Sequence, residues 1–399
     1  MDTILAVVSW LSLAYICRSK LKVDISEVWI ISLSILIIGS FIIILAVDFK
    51  SLLYVKVLLI LLGIIEFYKN QQSDDTSLKR LVLTGILFIL IAFLITRQES
   101  YSYIFNWDDF SHWARSVKLL VLDNGYGDFY FSQVLFPTYG PASATWHAFF
   151  QAWNIIDESI LYFSQILWIF SLLICVYGMS LNYVTDQFQK VLILVVLTGL
   201  GNTITPYGHN LQVDILIGLS LATAYLIYNY SKSSSRQKLV NSAMILFTIV
   251  LTKPIGLVAL LQFSFLNLIF NGFKRVEIAR NIAIVIIASF GAIIWTFYIS
   301  EIIPPSSNNK VIGYEAFLRL AWQAEVFYDY FVIKLFYLSI IEKVHVVIYG
   351  GLLYSIVIYI NCHSAKLLKI VFLSIIAYLS FLLLAYTFYF NSNVRCYNR

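Results

Sequence analysis

The chain has 399 residues, 60% of them hydrophobic and only 12% charged, with a net charge of +5. Soluble domains carry about 25% charged residues, so this composition excludes a soluble globular protein and points to a polytopic membrane protein. In such a chain a basic excess marks cytoplasmic loops, so no nucleic-acid partner is expected.

The first apolar run, 2–17, is followed rather than preceded by Arg18, Lys20 and Lys22. That is the reverse of a cleavable signal peptide. A span needs about 20 apolar residues. Suitable runs lie near 2–17, 26–47, 51–68, 81–96, 159–181, 189–204, 213–230, 281–300, 346–361 and 370–390. The run 239–271 is too long for one span, is broken by "TKPIG", and has basic flanks at both ends. It is expected to enter and return as two short helices hinged at Lys253-Pro254. The fold class expected is therefore all-α, with about twelve membrane helices. Cys17, Cys175, Cys362 and Cys396 are scattered without CxxC spacing, so neither a zinc site nor a disulfide framework is indicated.

Loops alternate in charge. Of the 27 basic residues, 15 fall on one side, in the loops holding Arg18/Lys20/Lys22, Lys69/Lys79/Arg80, Lys190, Lys232/Arg236/Lys238, Lys274/Arg275/Arg280 and Lys366/Lys369. The positive-inside rule makes that side cytoplasmic. Two long loops, near 97–158 and 301–345, then face outward, and the first is acidic. After Asp109, the residues Phe110, Trp113, Val117 and Leu120 recur at helical spacing, with His112, Arg115 and Ser116 off that face. A second helix follows Pro141, with Trp146, Phe149, Phe150 and Trp153 as its stripe. Two amphipathic helices beside a membrane are expected to lie in its interface.

An outer loop that opens "WDDFSHWARSVK" and enters its second helix through "FPTYGPASATWHAFF" resembles the GT-C superfamily of membrane glycosyltransferases. That superfamily includes protein O-mannosyltransferases and aminoarabinose transferases. "NLQVDILIGL" and "LTKPIGLVAL" sit where such enzymes have a polar outer turn and a short-helix break. The resemblance covers roughly 80–300. It makes 1–80 an N-terminal addition and 81–399 the catalytic region, which ends at Arg399 earlier than many relatives. It implies sugar transfer from a polyprenyl-phosphate-linked donor to a cell-surface glycan, lipid or protein acceptor, at the outer face of the cell membrane. It leaves open a divalent cation, Mg or Mn. A flippase for lipid-linked saccharides and an O-antigen-type polymerase or ligase are the competing readings. Neither a repeat nor midplane polar residues support the first.

Transfer from a phosphate-linked donor needs a base near the acceptor hydroxyl and positive charge at the departing phosphate. Asp108 and Asp109 are the candidate base, each also able to serve as a helix N-cap. Two neighbouring carboxylates raise one another's pKa, which suits a base. His112, Tyr139, His209, Asn210, Lys253 and Arg319 are candidate substrate contacts, with interfacial hydrogen bonding, loop setting, hairpin capping or snorkelling as the structural alternatives. Lys334 and Lys343 share the last alternative. Asp214, at the outer end of a span, reads as a metal ligand or as a partner of Lys253, because ionisable residues in membranes are functional by default. Lys56, alone in its span, reads as snorkelling.

Overall fold

A computed structural model describes residues 2–70, 76–96, 112–134, 139–152, 155–181, 213–253 and 256–302. Among them only helices form as regular elements. They are α1 (Asp2–Ser19), α2 (Val28–Ala46), α3 (Leu52–Asn70), α4 (Thr76–Thr96), α5 (Ala114–Leu122), α6 (Asp128–Gln133), α7 (Ala142–Phe150), α8 (Glu158–Leu181), α9 (Asp214–Tyr230), α10 (Ser235–Val250), α11 (Gly256–Asn271) and α12 (Arg275–Ile302). Four of these, α1, α2, α8 and α12, are long and apolar enough to cross a membrane. None of the six prolines lies inside a described helix, as expected for a residue that removes a helix hydrogen bond. The long run 239–271 does split, into α10 and α11 of 16 residues each, and Leu251–Lys253 begins the connection. The runs 189–204, 346–361 and 370–390 lie outside the described residues.

The outer surface has membrane polarity. On α3 the buried positions are Leu52, Lys56, Gly63 and Glu66, while Leu58, Leu61, Leu62, Ile64 and Ile65 stand exposed. A soluble helix hides its leucines and exposes its charges; α3 does the opposite. Its polar stripe packs on α1: Gly63 is close against Ser12, and Glu66 pairs with Lys20 at 3.1 Å.

The interior is aromatic where α1, α2, α4, α7 and α8 meet. Trp10 packs on Trp29, Phe88 and Trp146 at centroid separations of 5.4, 6.0 and 5.9 Å. Two of the indole N–H groups there are met: Trp10 donates to Ser32 and Trp146 to the Ser164 carbonyl. A second polar tie joins α9, α11 and α12, where Asn271 donates to Asn229, Asn229 to Asn267 and Asn267 to Asn281. Interhelical amide bonds of this kind are a common glue between membrane helices. Helix α2 touches α7, α8 and α10 as well as α1, so the first helices share a core with the rest.

Two expectations change. Helix α7 was expected to be amphipathic with one aromatic face at the interface. Instead all nine of its residues are buried, because α1, α2, α5 and α8 surround it. Lys56 does not snorkel outward. It is 4% exposed, its ammonium lies 5.0 Å from the Phe149 ring centroid, and Asp2 supplies an opposing charge. The last turn of α7, the negative end of its dipole, offers this cation a better site than a long reach along an apolar helix.

Candidate functional site

The segment between α4 and α8 is built around α5, α6 and α7. Helix α5 turns Val117 and Leu120 inward, both fully buried, and leaves His112, Arg115 and Ser116 partly exposed, as its spacing predicts. Asp123 then ends α5 and accepts the Tyr130 amide at 2.9 Å. Asn124 adopts a left-handed conformation (φ 59°) and clasps the α2–α3 turn. Its carbonyl accepts from the Phe49 amide, its Oδ1 from the Lys50 amide, and its Nδ2 donates to Asp48. Hydrogen bonds from Ser51 hold the Asp48 carboxyl below its ordinary pKa, which keeps the clasp charged.

Between these pieces lies a small cleft lined by His112, Trp113, Ser116, Tyr130, Val134, Tyr139, Gly140 and Ala144. One end is aromatic. Trp113 and Tyr139 stack at 5.5 Å and 18°, and the Lys253 ammonium lies 5.3 Å from the Tyr139 centroid. Cation–π attraction of this kind is worth about 0.5–2 kcal/mol, more when water is excluded. The other end is polar. Ser116 donates to the His112 carbonyl at 2.6 Å, and Tyr130 lines the same end. Burial raises the Tyr130 pKa well above its ordinary range, which keeps this hydroxyl protonated.

Backbone contacts bring Lys253 to this wall. The Leu251 carbonyl accepts from the Ala142 amide at 3.0 Å. Gly140 lies so close to that same carbonyl that a Cβ there would collide with it. The glycine in "TYGPA" is thus required for docking the Tyr139 turn on the α10–α11 connection, and Pro141 serves as the N-cap position of α7.

His112 and Tyr139, selected from separate stretches of sequence, therefore line one cleft, and Lys253 lies against the Tyr139 ring. Asp108, Asp109, His209, Asn210 and Arg319 lie outside the described residues. Asp214 opens α9, and its side chain is likewise outside them. Among the described residues no group of three His, Cys, Asp or Glu side chains gathers for a metal ion. Ser116 and Tyr130 were not expected as lining residues. Ser116 carried a signal, its place off the apolar face of α5, whereas Tyr130 carried none.

Away from the cleft, α7 holds a second ionisable group. His147 is fully buried and its Nδ1 meets Ser164 Oγ at 2.6 Å. Ser164 also donates to the carbonyls of Ile160 and Leu161, so its oxygen accepts from Nδ1–H. Burial pushes the His147 pKa down to about 3. A group so held is structural.

A scan against models of known protein families, and searches of curated proteins and of solved structures, find no match to this chain.

Proposed function

We propose that the chain is an integral-membrane glycosyltransferase with about twelve membrane helices, moving a sugar from a polyprenyl-phosphate-linked donor to an extracytoplasmic acceptor. The observation that supports the reading is that His112 and Tyr139 line one cleft and Lys253 lies against the Tyr139 ring. That cleft begins three residues after the Asp108-Asp109 pair.

In this reading one of the two aspartates takes the proton from the acceptor hydroxyl. The freed oxygen attacks the anomeric carbon, the bond from that carbon to the phosphate oxygen breaks, and polyprenyl phosphate departs with the bonding electrons. Lys253 receives the developing negative charge. Each arm of its hairpin has 16 residues and extends about 24 Å at 1.5 Å per residue, shorter than the ~30 Å hydrocarbon core. The ammonium is thereby set below the outer surface, at the depth of a lipid phosphate entering from that leaflet, where an anion lowers the cost of burying it. The stacked Trp113–Tyr139 wall offers the apolar faces of a sugar a flat surface. His112 and the Ser116–Tyr130 pair offer its hydroxyls hydrogen bonds. Asp214 stands as the candidate for a cation, Mg or Mn, and no step above passes through a metal.

The test is transfer itself. Purified protein is incubated with a panel of polyprenyl-phosphate sugars and release of polyprenyl phosphate is scored. Release from one donor class, lost on replacement of Asp108 or Asp109 by Asn, supports the reading. No release from any donor, with acceptor glycans, lipids and peptides supplied, counts against it.

A further inference from the structure

Helix α12 reaches the cleft from behind. Its residues Trp295 and Tyr298, one helical turn apart, stack at 6.1 Å and 19°. Each donates a hydrogen bond to the backbone of the segment between α4 and α8. Trp295 Nε1 donates to the Tyr139 carbonyl at 3.1 Å, and the Tyr298 hydroxyl donates to the Tyr126 carbonyl at 2.7 Å. Between Tyr126 and Tyr139 lie α6 and the cleft residues Tyr130 and Val134. The stretch Tyr126–Val134 is a strap, and one face of one helix holds both it and the Tyr139 turn.

The grip is reinforced by packing. Trp295 meets Tyr126 edge-on at 5.1 Å and Phe131 at 5.6 Å, and it is 4% exposed. Tyr126 in turn bonds Thr145 of α7 at 2.6 Å, tying the start of the strap to the helix that follows the Tyr139 turn. The inner end of α12 is itself fixed, since Glu277 accepts from Tyr228 of α9 at 2.7 Å. A rigid helix anchored at its inner end therefore sets the height of the strap at its outer end.

We infer that Trp295 and Tyr298 are positioning residues that hold the Tyr126–Val134 strap and the Tyr139 turn, and so fix the Tyr139 ring between Trp113 and Lys253. They touch no reacting atom and act through the carbonyls of Tyr126 and Tyr139. For its effect on turnover the inference rests on the proposed function; its first readout uses no substrate.

Val134→Cys places a thiol in the cleft wall, and its rate of reaction with a small methanethiosulfonate reagent is measured in purified full-length protein. The same chain without the new cysteine serves as the blank. Tyr298→Phe removes only a hydroxyl, and Trp295→Phe removes the N–H while keeping an aromatic ring. Each is expected to raise the labelling rate about fivefold, the effect of one lost neutral hydrogen bond. Ser300→Ala, at the exposed outer end of α12, is expected to leave it unchanged. The buried thiol Cys175 is expected to stay unreactive throughout. Labelling at Val134→Cys that is equal in all variants, or a parallel rise at Cys175, overturns the proposal.

A second arm adds a long-chain polyprenyl monophosphate. Protection of the thiol, at about fivefold higher concentration in Tyr298→Phe than with Tyr298 in place, is the signature of positioning over bare packing. Protection that needs the same concentration in both overturns the positioning role. If the monophosphate protects neither, the donor reading fails and the labelling result decides the strap alone.

Discussion

Lys56 and Lys253 are each flanked by apolar sequence, and each ends with its ammonium about one ring-contact from an aromatic centroid, Phe149 for one and Tyr139 for the other. Their surroundings differ. Lys56 is enclosed between α3 and the last turn of α7, at 4% exposure, in an environment already supplied with a dipole end and the Asp2 charge. Lys253 is half-buried on a connection docked against the Tyr139 turn. The first cation completes a packing arrangement. The second lies against a ring that lines a cleft. An isolated lysine in an apolar run is thus informative only once the element beside it is known.

The comparison can be broken in several ways, and the largest effect is expected at the proposed catalytic pair. Replacing the essential member of Asp108 and Asp109 by Asn keeps its size and removes its basicity. Turnover should fall about 10²–10⁴-fold, with expression near normal. Two fully active Asn variants would make the pair a helix cap. Gly140→Ala comes next, since the added Cβ meets the Leu251 carbonyl. Overpacking of this kind costs about 1–3 kcal/mol and should separate the Tyr139 turn from the Lys253 connection, read as lower thermal stability and weaker donor binding together. A stable, fully binding variant would show that the docking is slack.

The α7 side answers to pH instead. His147 is neutral when folded, with a pKa lowered to about 3 from 6.5, so the unfolded chain binds the extra proton first. Its contribution is fully present above pH 6.5 and is lost as pH falls toward 3, by about 1.4 kcal/mol per pH unit at most. His147→Gln should flatten the fall in unfolding temperature over that range; an unchanged slope would exclude His147 as its source. The smallest effect belongs to Lys56→Met. The substitution removes the cost of burying a cation together with its attraction to the partly exposed Asp2, two opposing effects, so the unfolding temperature should change little. A large drop would make Lys56 a structural keystone.

How much of this the sequence discloses depends on the distance between the groups involved. Helix positions follow from local hydropathy, and the split of 239–271 at "TKPIG" is visible because proline and its flanking charges are local signals. The buried face of α5 follows from the spacing of Trp113, Val117 and Leu120. Helix α7 is different. Its stripe reads as one-sided, yet Ser143, Thr145 and His147 are buried as well, because burial there is set by four neighbouring helices rather than by its own pattern. Lys56 goes the same way, as nothing near it in sequence announces Phe149. The cleft is partly legible: His112 and Tyr139 stand in segments whose composition is unusual for this chain, and Lys253 stands at the break. Trp295 carries no such mark, since its partner Tyr139 is 156 positions away.

The central claim is that the cleft beside Lys253 takes the phosphate of a lipid-linked donor. Its most direct test is the affinity of a long-chain polyprenyl monophosphate for the purified protein, measured in parallel for Lys253→Met and Lys56→Met. A hydrogen bond to a charged group is worth about 1.5–3 kcal/mol, so Lys253→Met should weaken binding roughly 10- to 100-fold while Lys56→Met stays within about twofold of the parent. Equal affinities in the two variants would contradict the account.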